Sequence, residues 1–344
     1  LKSYKGINRL SVSWYGGEPL LDFKAICELT EKLLELEVAY DHADLITNGY
    51  LLDREKISRL NDLKITSIQI TLDGPREVHD SRRFLAGGGP TFERILENVS
   101  NLMSSDYAGS CNIRINVDRD NIQNYLQLRE KLLEQFKGTR LQVYPGHVNA
   151  AQNHVYNREL CLDMDEWSDF NLEMYYRHFV PPRGGLHPPG HTRGICIASR
   201  HNGFVVGPEG ELYKCLSDVG KDAMVLGNLN VHDPITDPLL LARYVTGMDA
   251  YNDPECLDCK VLPICGGGCV NRRMRSRLYG EKGLNFCSPF RDHLVDYLKA
   301  YIETVHKKDV CTAVLTPGKV LPGRQGYRII SPQGSKKEEK ETAV

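Results

Sequence analysis

Apolar positions in the first half of the chain switch repeatedly between a two-residue and a 3.6-residue period. Residues 9–14 alternate as a strand and stop at Gly16-Gly17. Phe23, Ile26, Leu29, Leu33 and Leu36 then recur at helical spacing, which predicts a helix over residues 22–38. Leu45-Ile46 reads as a short strand closed by Asn48-Gly49, and Asp53 is a good N-cap for a helix reaching Leu60. Residues 67–72 alternate as a strand and end at Asp73-Gly74-Pro75. Thr91 is expected to cap a helix over 92–103, with Ile95, Leu96, Val99 and Leu102 on one side. Strands follow at 111–117 and 141–144, with helices at 125–136 and 165–179.

Strand–helix units in series predict an α/β protein whose parallel sheet is joined by crossover helices. Right-handed crossovers allow either an open doubly wound sheet or a barrel, and periodicity does not separate the two. Ligands of both sit at the carboxyl ends of the strands. Polar and glycine-bearing segments collect there: 16–19, 47–49, 71–75, 116–121 and 144–149. A proline- and glycine-rich stretch, 181–190, marks a boundary, and beyond Cys196 loops with cysteines replace the strand–helix rhythm. A helix returns over 291–306, and the charged, apolar-poor 335–344 is expected to be disordered.

Composition narrows the function. A formal net charge of −2 excludes a broadly basic nucleic-acid binder or polybasic membrane anchor, and no run of eighteen apolar residues exists to span a bilayer. The chain opens on Leu1 with no signal-peptide pattern, which reads as a fragment; a cytoplasmic location is expected. Eleven cysteines are many, and seven of them fall between Cys196 and Cys287. In a reducing compartment such clustering favours metal or cluster ligation over disulfides. Cys256, Cys259, Cys265 and Cys269 form a C-x2-C-x5-C-x3-C run suited to an iron–sulfur cluster, with Gly266-Gly267-Gly268 leaving room for it. A pair of structural zinc sites is the alternative, although seven cysteines do not complete two four-thiolate sites.

The seven-cysteine spacing is similar to the SPASM domain that follows many radical S-adenosylmethionine (SAM) cores. Ser13-Trp14-Tyr15-Gly16-Gly17-Glu18-Pro19 resembles the GGEP segment of that superfamily. Thr47-Asn48-Gly49 and Thr71-Leu72-Asp73-Gly74-Pro75, with His79-Asp80 and Arg82-Arg83, resemble its next strand ends. The resemblance covers about residues 9–290. It implies a partial (β/α)6 radical SAM barrel lacking its first strand (1–183), a loop-rich, cysteine-containing SPASM domain (184–306) and a tail (307–344).

The resemblance also implies site residues. Gly16, Gly17, Glu18 and Pro19 would meet the methionyl ammonium of SAM, Thr71 and Arg83 (or Arg82) its carboxylate, and Asn116 its ribose. Cys256, Cys259, Cys265 and Cys287 would close one auxiliary [4Fe-4S] cluster. Cys196, Cys215 and Cys269 would hold a second, with a histidine (His187 or His191), a substrate thiol or an open position as fourth ligand. No C-x3-C-x2-C triplet, which binds the SAM-cleaving [4Fe-4S] cluster, occurs in the chain. It is expected in a missing front, leaving the fragment itself inactive.

The expected partners are a peptide or protein substrate and a reductant such as flavodoxin or ferredoxin. The expected reaction is maturation of a ribosomally made peptide by a thioether or carbon–carbon cross-link, after hydrogen abstraction by the 5′-deoxyadenosyl radical. Sulfatase maturases resemble this chain too, but carry an aspartate directly after the second SPASM cysteine, where Leu216 stands here, with Asp218 nearby. Formylglycine synthesis, or a non-catalytic iron–sulfur or zinc module, are the alternatives.

Overall fold

The structure, a computed structural model, describes residues 8–36, 38–148, 158–180 and 196–306, with two short backbone strands, Lys319–Val320 and Arg328–Ile329. The proline-rich 181–190 stretch, with His187, as well as His191 and residues 335–344, lie outside the described residues. The chain divides into two compact units, Leu1–Leu162 and Asp163–Val344.

The first unit strings β1 (Arg9–Trp14), α1 (Phe23–Leu34), β2 (Ala39–Thr47), α2 (Arg54–Arg59), β3 (Ile65–Leu72), α3 (Arg76–Arg82), α4 (Phe92–Met103), β4 (Ser110–Val117), α5 (Tyr125–Gln135) and β5 (Leu141–His147). The five strands pair in sequence order, all parallel. A doubly wound sheet reverses its strand order at a switch point; here there is none, so right-handed crossovers put every helix on one face, as in a barrel. Leu45, Ile70, Ile113 and Ile115 are buried on the helix side. The alternate positions Ser67, Gln69 and Thr71 on β3 and Asn112, Arg114 and Asn116 on β4 make the other face polar.

Several elements differ from expectation for identifiable reasons. α1 stops at Leu34, and β2 runs nine residues because its polar start pairs with β1 and is joined to it by Arg9–Asp41. Leu29 and Leu36 stay exposed, since β1 is an edge strand with one neighbour. The short, charged α3 has no apolar period to announce it. Thr91 does not cap α4 with its side chain. Asp80 does, its Oδ1 accepting from Thr91 N at 2.8 Å and Phe92 N at 2.9 Å, while Thr91 Oγ1 donates to Arg83 O.

In the second unit α6 (Met164–His178) starts in a capping box of Asp163 and Glu166. Its Leu172, Tyr175 and Tyr176 pack on Tyr297 and Ala300 of α11 (Phe290–His306). The division between the compact units falls after Leu162, and the buried aromatic face of α6 packs on α11. Between these helices lies a small antiparallel sheet of β6 (Val205–Val206), β7 (Glu211–Tyr213) and β8 (Gly227–Asn228). Four short helices follow, α7 (Pro238–Ala242), α8 (Pro254–Leu257), α9 (Leu262–Cys265) and α10 (Val270–Arg277). Among the described residues no helix is long and apolar enough to cross a membrane.

Candidate cofactor and cluster sites

The turn after β1 is organised by one carboxylate. Glu18 Oε1 accepts from Leu20 N at 3.0 Å and Thr47 Oγ1 at 2.6 Å, and Oε2 accepts from Asn48 N at 2.7 Å. Both oxygens thus tie the β1 turn to the end of β2. Gly49, at φ +81°, leaves no room for a side chain against Ile70, and buried Asn98 of α4 donates to Gly49 O at 2.9 Å and Tyr50 O at 2.8 Å. Sequence reasoning passed over Asn98; its signal was a polar residue on the apolar stripe of α4. At Gly16 and Gly17 the situation is opposite to Gly49. Neither has positive φ, and an added Cβ would meet nothing within 4 Å.

A second cluster forms where β3 and β4 end. The Asp73 carboxylate is 1% exposed and accepts from Arg83 Nε at 2.5 Å and Asn116 Nδ2 at 2.7 Å. The amide oxygen of Asn116 is buried and has no hydrogen-bond partner. Arg82 points elsewhere, forking onto fully buried Asp118 at 2.5 and 3.2 Å. Arg83 thus shares Asp73 with Asn116, whereas Arg82 pairs with Asp118. Thr71 precedes Asp73 by two residues and so shares its side of the strand. Behind them, His79 Nδ1 accepts from Asp73 N at 3.3 Å and His79 Nε2 lies 3.1 Å from Thr91 Oγ1. Burial pushes this imidazole down to about 4, against the opposing pull of Asp73, so it is neutral.

In the second unit Cys256, Cys259, Cys265 and Cys287 line one pocket, together with Arg273, Phe286 and Arg291. Among the described residues no three His, Cys, Asp or Glu side chains close on a single-ion site. Arg273 Nη2 donates to Cys256 Sγ and Arg291 Nη1 to Cys287 Sγ, each at 3.0 Å. Burial pushes the Cys287 thiol up, while Arg291 pulls it back down. The glycine run does not simply leave room. Gly266, Gly267 and Gly268 all have positive φ, and a Cβ on Gly268 would stand 1.8 Å from Phe286 O, whose acceptor bond from Cys269 N is 2.9 Å.

The remaining three ligand candidates are less closely gathered. Cys215 is pushed up to about 11, by burial first and in part by neighbouring Cys269. Arg272, held down by burial, feels both thiols, and its Nε is buried without a partner. Cys196 is exposed and lies beside Lys214, whose buried ammonium donates to Arg200 O and Gly203 O. Asp218 is buried, accepting from Tyr244 Oη and from Asn271 Nδ2, and burial raises its carboxyl. It joins the segment after β7 to α10. Cys111, in the core of β4, is pushed up to about 12 by burial and reads as packing.

Residues 1–132 match the family model described as the Radical SAM superfamily. The serine-type anaerobic sulfatase-maturating enzyme of Bacteroides thetaiotaomicron is 22% identical over 86% of this chain and 77% of its own. The cysteine-type anaerobic sulfatase-maturating enzyme of Clostridium perfringens is 26% identical over 82% of this chain and 80% of its own. Among solved structures, native anSMEcpe with bound AdoMet aligns over 88% of this chain and 85% of its own, with a TM-score of 0.62 at 22% identity. The chain is radical SAM maturase-like in sequence and has a radical SAM-type α/β fold followed by a loop-rich region.

Proposed function

We propose that this chain, radical SAM maturase-like in sequence and fold, binds SAM at the carboxyl ends of β1, β3 and β4 and oxidises a side chain of a peptide or protein, in the manner of the sulfatase-maturating relatives. The observation that carries it is the juxtaposition of Arg83 with a buried, unsatisfied Asn116 oxygen at those strand ends. A buried acceptor without a donor is costly unless a ligand supplies one, as ribose hydroxyls do. Gly16 and Gly17 add to this: nothing in the fold requires glycine there, and bare backbone allows a ligand ammonium to approach closely. Thr71 and Arg83 offer a hydroxyl and a fork for the carboxylate. Glu18, bonded to Thr47 and Asn48, positions the glycine turn that meets the ammonium.

Bound SAM, reduced by one electron from an iron–sulfur cluster, supplies a hydrogen-atom abstractor. The three cysteines for that cluster are not among these 344 residues. In this reading Arg83 and Asn116 orient the cofactor, and the polar face of β3 and β4 confines the substrate. The four-cysteine ring holds one auxiliary [4Fe-4S] cluster, and Cys196, Cys215 and Cys269 contribute to another. Flavodoxin or ferredoxin is the expected reductant.

Two facts about similar proteins bear on the substrate. Native anSMEcpe has been solved with bound AdoMet and a Kp18Cys peptide, and the two relatives above are named for sulfatase maturation. The test is anaerobic incubation of the cluster-loaded protein with SAM, dithionite and a sulfatase-derived cysteine or serine peptide. An aldehyde trapped by a hydrazine supports this reading. A second reading, cross-linking, is favoured by Leu216, because the aspartate position of sulfatase maturases is apolar here and Asp218 is occupied by Tyr244 and Asn271. It predicts loss of two hydrogens from a peptide with no aldehyde formed.

A further inference from the structure

The four-cysteine ring is flanked by cations that the reading above does not use. Arg273 is buried on α10, its guanidinium 4.9 Å from the Phe286 ring centre and donating to Cys256 Sγ, Gly267 O and Asp253. Asp253 is shared with Arg277 at 3.2 Å, and Arg277 also pairs with Glu255 at 3.1 Å, so this group of four is neutral in sum and the ring is reached by the Arg273 N–H donors themselves. Arg291 approaches from α11 and donates to Cys287 Sγ at 3.0 Å, with Asp292 as its acidic neighbour. Two of the four ring sulfurs therefore accept a charge-assisted N–H.

We propose that Arg273 and Arg291 raise the reduction potential of the cluster held by Cys256, Cys259, Cys265 and Cys287. The inference rests on the cluster reading of that ring. Reduction adds one electron to a site that four thiolates already make negative, and burial makes the extra charge expensive. A cationic donor at hydrogen-bond distance from a ligand sulfur stabilises the reduced form more than the oxidised one. Arg272 is next in sequence to Arg273 and therefore turned by about 100° around α10. It faces Cys215 and Cys269, so its influence belongs to the other site.

The experiment is a potentiometric titration, followed by electron paramagnetic resonance, of anaerobically reconstituted protein and its Arg291→Gln, Arg291→Lys, Arg273→Gln and Arg272→Gln variants. Iron content is measured first. Absence of iron in the parent protein defeats the cluster reading itself. With iron bound, Arg291→Gln is expected to lower the midpoint of one cluster only, changing its reduced-to-oxidised ratio at fixed potential by roughly tenfold, about 59 mV for one electron. Arg291→Lys restores most of that shift, and Arg272→Gln leaves this cluster in place. Arg273→Gln moves the same cluster as Arg291→Gln; should it fail to fold, Arg291 alone decides. Unchanged midpoints in Arg291→Gln, or equal shifts of both clusters, overturn the proposal.

Discussion

Asn116 donates its amide N–H to the buried carboxylate of Asp73 at 2.7 Å and leaves its own buried amide oxygen without a donor. Asp73 is satisfied from the other side by Arg83 at 2.5 Å. On the proposed reading, a ligand hydroxyl satisfies the Asn116 oxygen. Replacing Asn116 by Ala, or Arg83 by Gln, should weaken SAM binding by roughly tenfold or more, about 1.4 kcal/mol. Equilibrium dialysis with labelled SAM reads this without turnover. Unchanged affinity in both variants would remove the assignment.

Glu18 makes a prediction about structure more than about binding. Glu18→Gln replaces one acceptor oxygen by an NH2 that cannot accept from both Thr47 Oγ1 and the N–H groups of Leu20 and Asn48. Stability should fall by about 1–3 kcal/mol. A double-mutant cycle with Thr47→Val, followed by chemical denaturation, should show the two effects to be non-additive.

The glycines separate into two kinds. Gly16→Ala should leave unfolding within about 0.5 kcal/mol of the parent, because its Cβ enters open space, yet lower SAM affinity. Gly268→Ala has φ +71° and a Cβ 1.8 Å from Phe286 O, and should cost about 3 kcal/mol or more and reduce iron uptake. Thermal melts and iron assays on the pair would show whether the distinction holds.

His79 should set a pH slope. Its folded pKa, about 4, lies below the ordinary 6.5 of a histidine, because burial disfavours the imidazolium. The unfolded chain therefore binds the extra proton between those values, and stability is lost as pH falls from about 6.5 towards 4, by an amount on the order of 3 kcal/mol in full. Denaturant midpoints between pH 7 and pH 5 should decline less in His79→Asn than in the parent.

Anaerobic reconstitution should load about eight iron atoms per chain in two clusters, with an absorption band bleached by dithionite. Cys256→Ser should lower the iron content without abolishing it. Stoichiometric zinc uptake with no iron would contradict the ring's assignment.

Much of the strand–helix half was legible because its periods are strong: Ser67 to Leu72 and the α4 stripe stand where alternation and spacing put them. β2 was underread because Asp41, His42 and Asp44 interrupt the apolar pattern that pairing with β1 overrides. The cap of α4 was misassigned because Asp80, eleven residues from the helix it caps at Thr91, reaches it only through the fold. Motif order points to Gly16, Gly17, Arg83 and Asn116, whereas the bonds of Glu18 to Thr47 and Asn48 leave no sequence signal because those partners lie 29 and 30 residues away. The arginines at Cys256 and Cys287 left no sequence signal, since a basic residue on a short helix is usually a solvated one.

Cys265 and Cys269 are joined by three successive glycines in the left-handed region. No other residue type loses as much freedom on being fixed, so this is a costly stretch of the chain to order. In a protein that ligates iron through both cysteines, closing that turn and loading metal are one event. On the proposed cluster reading, iron supply therefore governs when this turn becomes ordered.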